Sequence, residues 1–431
     1  MDQSTGMAMG ADGQLVALIG QGYVGLPLAV RAVECGYRVV GIDTDASRVE
    51  RLRRGDSYVE DVPGRRLAAA LASGRYTASA DYADAAGFDV CVITVPTPLR
   101  DGAPDLSYIE AAGAAVAPHI RPGSTVVLES TTYPGTTEEL LLPVLERGSG
   151  QRAGADFHLG YSPERIDPGN ERWRLENTPK VVAGLDPDSL ESVQAFYARL
   201  VDTTVPVAST RTAELTKLLE NTFRHVNIAL LNELAVFAAE LDVDVWEAVS
   251  AAATKPFGFL PFTPGPGVGG HCLPIDPSYL AWQVKRKLGH QSRFIDLANE
   301  INQSMPRYVA QRVMRGLNER RKSVNGSRVL LLGLAYKPNV GDFRESPAVE
   351  VARLLGALGA RVRAVEPYAA AGARLPAGVT LVELTPAEVA AADAVVLLTD
   401  HDVFDYKAIA ADAAYVFDTR NRCQGASVEV L

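Results

Sequence analysis

The stretch LVALIGQGYVGLPLAVRAVECGYRVVGID, residues 15–43, decides the fold. It opens on an apolar run at 15–19 and passes through a turn carrying Gly20, Gly22 and Gly25. A helical pattern follows from Leu26 to Glu34, then a second apolar run at 38–42, then Asp43. Strand, glycine turn, helix and strand in that order make one βαβ unit. The glycines allow a tight turn and let backbone N–H groups approach a pyrophosphate, which the positive end of the next helix attracts. Asp43, 18 residues past Gly25, can accept from both ribose hydroxyls and would repel a 2′-phosphate. The spacing therefore predicts a dinucleotide site that selects NAD over NADP. Tyr23 and Val24 lie in its turn, and Arg48 stands on the next helix.

The alternation continues outward. Further helices are expected at 46–53 and 106–116, and strands at 89–95, 125–129 and 180–183. Alternating strands and helices predict a parallel sheet covered on both faces, and the continuously apolar strands agree. From 212 to 241 the chain has helical periodicity without proline or glycine, which predicts a helix about 45 Å long at roughly 1.5 Å per residue. Its length suits a link between domains and a dimer contact. Helical pattern resumes at 278–288 and 294–317. A second βαβ unit starts at Arg328, but its first turn holds only Gly333, so it lacks the dinucleotide fingerprint. The expected organisation is a disordered tail at 1–13, an NAD-binding Rossmann domain at 14–205, a helical dimerisation region at 206–320, and a Rossmann-like domain at 321–431.

With 431 residues, 47% of them hydrophobic and 22% charged, the composition is that of a globular enzyme. The net charge of −10 argues against a nucleic-acid partner, which would call for a basic face. Cys35, Cys91, Cys272 and Cys423 are scattered, with no CxxC pair, so neither a zinc site nor a disulfide framework is expected. That usage fits a reducing cytoplasm. The first residues lack the pattern of a signal peptide, and no apolar run approaches the roughly 20 residues of a membrane span.

Three groups of residues carry the chemistry. Cys272 sits in GPGVGGHCLPID at 265–276, a fixed glycine-rich loop, with His271 before it and Asp276 four residues on. A thiol held in so elaborate a loop suits a nucleophile. Lys217 and Asn221, four apart on the long helix, project from one face and suit oxyanion stabilisation. The segments VPTP (95–98), ESTTYPGT (129–136) and YSPERIDPGN (161–170) end expected strands, where ligands of open α/β sheets bind. They carry Pro96 and Thr97, Thr131, and Glu164 with Arg165; Glu164 is a candidate acid or base.

Together these features resemble the UDP-glucose/GDP-mannose dehydrogenase family of nucleotide-sugar 6-dehydrogenases. The matching blocks are GQGYVGLPLA, VPTPL, ESTTYPGTT, SPERIDPGN, ELTKLLENTFR, GPGVGGHCLPIDP, GLAYKPNVGDFRESPA and FDTRN. The resemblance implies an NAD-dependent, four-electron oxidation of a UDP-hexose 6-CH₂OH to the uronate, in a homodimer. It implies Cys272 as nucleophile, Asp276 as the carboxylate activating water, and Lys217 and Asn221 at the oxyanions. Thr131 joins the same water network and Glu164 is the implied general base. Substrate contacts fall to Glu164, Arg165, Lys217, Asn221, Phe262, Gly265, Gly269, Lys337 and Arg420. Arg344 matches an arginine reaching NAD, with Pro96, Thr97 and Thr131 also against the cofactor.

His271, Ile275 and Pro256 depart from the UDP-glucose branch, which shows a serine, a lysine and an arginine there. They resemble the branch acting on UDP-N-acetylhexosamines, UDP-N-acetylglucosamine first. UDP-glucose is the alternative substrate. A two-electron β-hydroxyacid dehydrogenase, which shares the Lys-x-x-x-Asn pair and needs no cysteine, is the competing enzyme class.

Overall fold

The structure, a computed structural model, describes residues 13–100, 102–167, 170, 172–270, 273–369 and 375–431. The expected N-terminal tail, apart from Gly13, lies outside the described residues, as do His271 and Cys272 of the glycine-rich loop. The chain divides into two units, residues 1–219 and 220–431.

In the first unit, eight strands form one sheet. From edge to edge they are Thr204–Pro206, Lys180–Gly184, His158–Tyr161, Thr125–Leu128, Val90–Ile93, Leu15–Ile19, Arg38–Ile42 and Tyr76–Ser79. Side chains alternate along each strand, so one strand feeds two cores. Val16 and Leu18 join Leu26 and Val30 of the first helix, Gly25–Glu34, while Ala17 and Ile19 join Ile109 and Leu145 on the opposite face. The expected strands and helices are present, with no end displaced by more than two residues. The expectation of a wholly parallel sheet needs one correction: Lys180–Gly184 runs antiparallel to His158–Tyr161. The described residues between those strands form no helix, so the chain turns back instead of crossing over.

The second unit carries a six-stranded parallel sheet in the order Thr380–Leu381, Arg361–Val365, Arg328–Leu332, Ala394–Leu397, Val416–Asp418, Val428–Val430. Counted along the chain this is 3-2-1-4-5-6, the doubly wound order. The first six strands around Leu15–Ile19 follow the same walk. Val329 and Leu331 face one core, Leu330 and Leu332 the other.

The long helix runs Thr210–Glu240, and the division between units falls within it. Two more helices, Asp276–Leu288 and Arg293–Glu319, follow the glycine-rich loop. No helix among the described residues is long and apolar enough to cross a membrane.

Candidate active site

The glycine turn is built as the sequence requires, each glycine for a different reason. Gly20 has φ +93°, and a Cβ there would lie 2.7 Å from the Thr94 carbonyl oxygen. At Gly25 a Cβ would come within 1.8 Å of the Gly20 oxygen, so the helix could not pack against its strand. At Gly22 a Cβ would meet no protein atom within 4 Å. The open space over Gly22 is the cradle a pyrophosphate needs, so the residues present fit NAD. Asp43 closes the second strand and is nearly buried, accepting from the Gln21 and Asp45 N–H groups at 2.9 Å each. Arg48 stands 3.6 Å from Asp43 and 5.7 Å from the centre of the Tyr58 ring.

Gln21, which sequence reasoning passed over, braces the turn from below. Its fully buried amide accepts from the Tyr76 hydroxyl at 2.8 Å and donates to the Leu18 carbonyl at 3.0 Å. A Cβ at Gly41 would lie 2.5 Å from the Gln21 Oε1, which explains a glycine in the middle of that strand.

The strands Leu15–Ile19, Val90–Ile93, Thr125–Leu128 and His158–Tyr161 are parallel neighbours. The loops after them therefore gather at one sheet edge. That edge collects the glycine turn with Tyr23 and Val24, Pro96 and Thr97, Thr131, and Glu164 with Arg165. Glu164 is 9% exposed and accepts from the Ile166 N–H; Arg165 donates to the Pro179 carbonyl at 2.6 Å.

The long helix is tied to the 129–136 loop by Glu214, a second residue the motifs did not single out. Its buried carboxylate accepts from the Gly135 N–H at 2.5 Å, and from the Thr137 N–H and hydroxyl at 2.9 and 2.7 Å. Burial pushes this acid up to about 7, against the pull of those donors. Lys217 follows one turn later on the same helix and is also buried.

In the second unit Asn221 donates to Asp276 Oδ2 at 2.6 Å, and both are nearly buried. The structure thus joins two of the expected residues, 55 positions apart. The glycine-rich loop is threaded through narrow gaps. A Cβ at Gly269 would lie 2.6 Å from the Glu345 oxygen, and one at Gly270 would lie 2.8 Å from the Tyr336 ring. Asn232 accepts from the Gly265 N–H at 2.8 Å and donates to Asn302 at 2.9 Å, anchoring the loop to two helices. Arg420 lies beside Gly265 and donates to the Leu398 carbonyl at 2.8 Å. Phe262 packs edge-on against Phe223, with centroids 5.8 Å apart. Lys337 stands 5.9 Å from the Tyr336 ring centre, and Arg344 makes a two-pronged pair with Asp342. Cys272 lies outside the described residues.

Comparison with known proteins shows the family. Three models of the UDP-glucose/GDP-mannose dehydrogenase family match in succession: the NAD binding domain at residues 14–201, the central domain at 211–304 and the UDP binding domain at 330–425. The chain is 37% identical to the UDP-N-acetyl-D-glucosamine 6-dehydrogenase of Pseudomonas aeruginosa, over 90% of this chain and 91% of that protein. The solved structure of a UDP-D-ManNAc dehydrogenase from Pyrococcus horikoshii matches with TM-score 0.88 and 33% identity, covering 97% of this chain and 99% of that one. A UDP-glucose dehydrogenase from Pyrobaculum islandicum matches with TM-score 0.86 and 32% identity, covering 98% of each. The chain belongs to the UDP-glucose/GDP-mannose dehydrogenase family and is an NAD-dependent oxidoreductase of nucleotide sugars.

Proposed function

We propose that the protein oxidises the 6-CH₂OH of UDP-N-acetylglucosamine to the carboxylate, with two NAD reduced and one water consumed. NAD, when bound over Gly22, supplies the hydride acceptor. The chain supplies the rest. Glu164 takes the proton of the reacting hydroxyl as a carbon-bound hydrogen leaves as the first hydride, giving the aldehyde, and Lys217 with Asn221 holds the oxyanions. The thiolate of Cys272 adds to the aldehyde to give a thiohemiacetal, whose remaining carbon-bound hydrogen leaves as hydride, and a thioester results. Asp276, held by Asn221, directs the water that hydrolyses the thioester.

The observation that carries this reading is the Asn221–Asp276 pair at the start of the helix that follows the cysteine loop. The other cysteines support it from the opposite side. Burial pushes the thiols of Cys35, Cys91 and Cys423 up, Cys423 to about 12, so none of them is a ready thiolate.

The first unit carries the glycine turn for NAD, the second the domain that matches the family's UDP binding domain, and the chain works as a homodimer. An exposed apolar stripe on the long helix, Leu219, Phe223, Leu230, Leu234 and Phe237, supports the dimer. Incubation with UDP-N-acetylglucosamine, its galacto and manno epimers and UDP-glucose, each with NAD, tests the substrate by product mass. The reading expects a uronate fastest from UDP-N-acetylglucosamine; a preference for UDP-glucose would overturn it.

A further inference from the structure

A buried cation stands beside Glu164, outside the motifs that carry the chemistry in the sequence. Lys180, the first residue of strand Lys180–Gly184, is 3% exposed. Its ammonium donates to Glu129 Oε1 and, at 3.1 Å, to the Pro163 carbonyl, and it lies 3.9 Å from Glu164 Oε2. Glu129 is buried too, and its other oxygen accepts from the Tyr197 hydroxyl at 2.6 Å. The Tyr197 ring lies under the same ammonium, 5.1 Å away. Among the described residues, Glu164 thus has beside it one ammonium, a second carboxylate and a phenol, with Arg165 next in the chain bonded to the Pro179 carbonyl.

A lysine is rarely this buried unless it is paired. Here one cation is shared by two carboxylates and cannot neutralise both. Burial pushes Glu129 up to about 7, while Lys180 pulls it down and Glu164 pushes it further up. The ammonium is hydrogen-bonded to Glu129 and stands 3.9 Å from Glu164, so its charge reaches both carboxylates. The charge beside the candidate base is thus anchored by a carboxylate that is itself buried.

We propose that Lys180 is a positioning residue for Glu164, holding its positive charge beside that carboxylate and fixing it in the 162–167 loop, while Glu129 and Tyr197 hold the ammonium in place. The inference rests on the reading of Glu164 as the base.

The test is the pH profile of kcat/KM with NAD and UDP-N-acetylglucosamine for wild type, Lys180→Met, Glu129→Gln, the Lys180→Met/Glu129→Gln double variant and Glu164→Gln. An opposite charge within about 4–6 Å lowers a carboxylate pKa by roughly 1–3 units, so its loss moves the acidic limb upward by that amount. Lys180→Met and the double variant are expected to show this upward move and to recover toward the alkaline plateau. Glu129→Gln, which leaves the whole cation to Glu164, is expected not to move the limb upward. The double variant removes both charges together and carries the test if Lys180→Met fails to fold.

An unmoved limb in the Lys180 variants, or an upward move in Glu129→Gln as large as theirs, overturns the inference. Glu164→Gln separates the two readings. If it keeps wild-type activity and limb, the base assignment fails. If it loses activity more than a hundredfold while the Lys180 variants keep the wild-type limb, only the positioning role fails.

Discussion

Gly22→Ala and Gly25→Ala, three residues apart in one turn, are expected to fail in different ways. At Gly25 the added methyl would sit 1.8 Å from the Gly20 oxygen and 2.5 Å from Thr94 Oγ1, far inside the 3.4 Å at which ordinary contact begins. That oxygen cannot step aside, because Gly20 N–H is bonded to Ile42 at 2.7 Å and the Thr94 hydroxyl holds the Gly20 carbonyl at 2.9 Å. Overpacking typically costs 1–3 kcal/mol, and a backbone obstacle places Gly25→Ala at about 3 kcal/mol. At Gly22 the methyl meets no protein atom, and the backbone is not in the left-handed region. Stability there should hold, or rise by about 0.4–1 kcal/mol through the unfolded chain. The methyl instead fills the pyrophosphate's place, so NAD affinity should fall at least tenfold, about 1.4 kcal/mol. Urea unfolding gives the first quantity and calorimetric NAD titration the second. The reasoning is refuted if Gly22→Ala binds NAD like wild type, or if it costs as much stability as Gly25→Ala.

Glu214 is an acid raised to about 7, so its contribution to stability is present below about 4.5 and lost as pH rises through 7. At about 1.4 kcal/mol per unit, the stability gap between wild type and Glu214→Gln should narrow by on the order of 3 kcal/mol from pH 4.5 to 8. Parallel urea melts measure it, and a gap that widens with pH would contradict the assignment. Asp43→Asn removes the repulsion of a 2′-phosphate, so the ratio of NAD to NADP kcat/KM should fall at least tenfold; an unchanged ratio places the ribose elsewhere. Leu219→Glu with Leu234→Glu puts charge on the exposed helical stripe. Sedimentation should then report a monomer, and a dimer that survives would move the contact off this helix.

Local chemistry made much of this fold legible. The glycine turn, the apolar strands and a helix without proline or glycine each state their own geometry within a few residues of chain. Short or half-polar elements were missed: the strand Tyr76–Ser79, the helix Gly64–Ala72 and the helix Pro187–Leu200. The first two are too brief to stand apart from loops and are ordered by packing on the sheet, whereas Pro187–Leu200 runs for 14 residues behind an Asp186 cap, a start signal that local sequence does carry. The antiparallel turn-back at Lys180 left no mark either, since a strand's sequence does not encode its direction.

The candidate site divides the same way. Cys272, Lys217, Asn221 and Asp43 are legible because their motifs are compact. Gln21, Glu129, Lys180 and Glu214 are not, because their partners lie far along the chain. Lys180 meets Glu129 across 51 residues, and Glu214 meets Thr137 across 77. Each reads in sequence as an ordinary polar residue until the sheet brings its partner to it.

The central claim is a four-electron oxidation through a thiol. The most direct measurement is the NADH formed per UDP-N-acetylglucosamine consumed to completion, with the product identified by mass, for wild type and Cys272→Ser. Two NADH per uronate in wild type, and loss of uronate formation in the variant, is the predicted result. One NADH per molecule of carbonyl product in wild type, or full two-NADH turnover in Cys272→Ser, would contradict it.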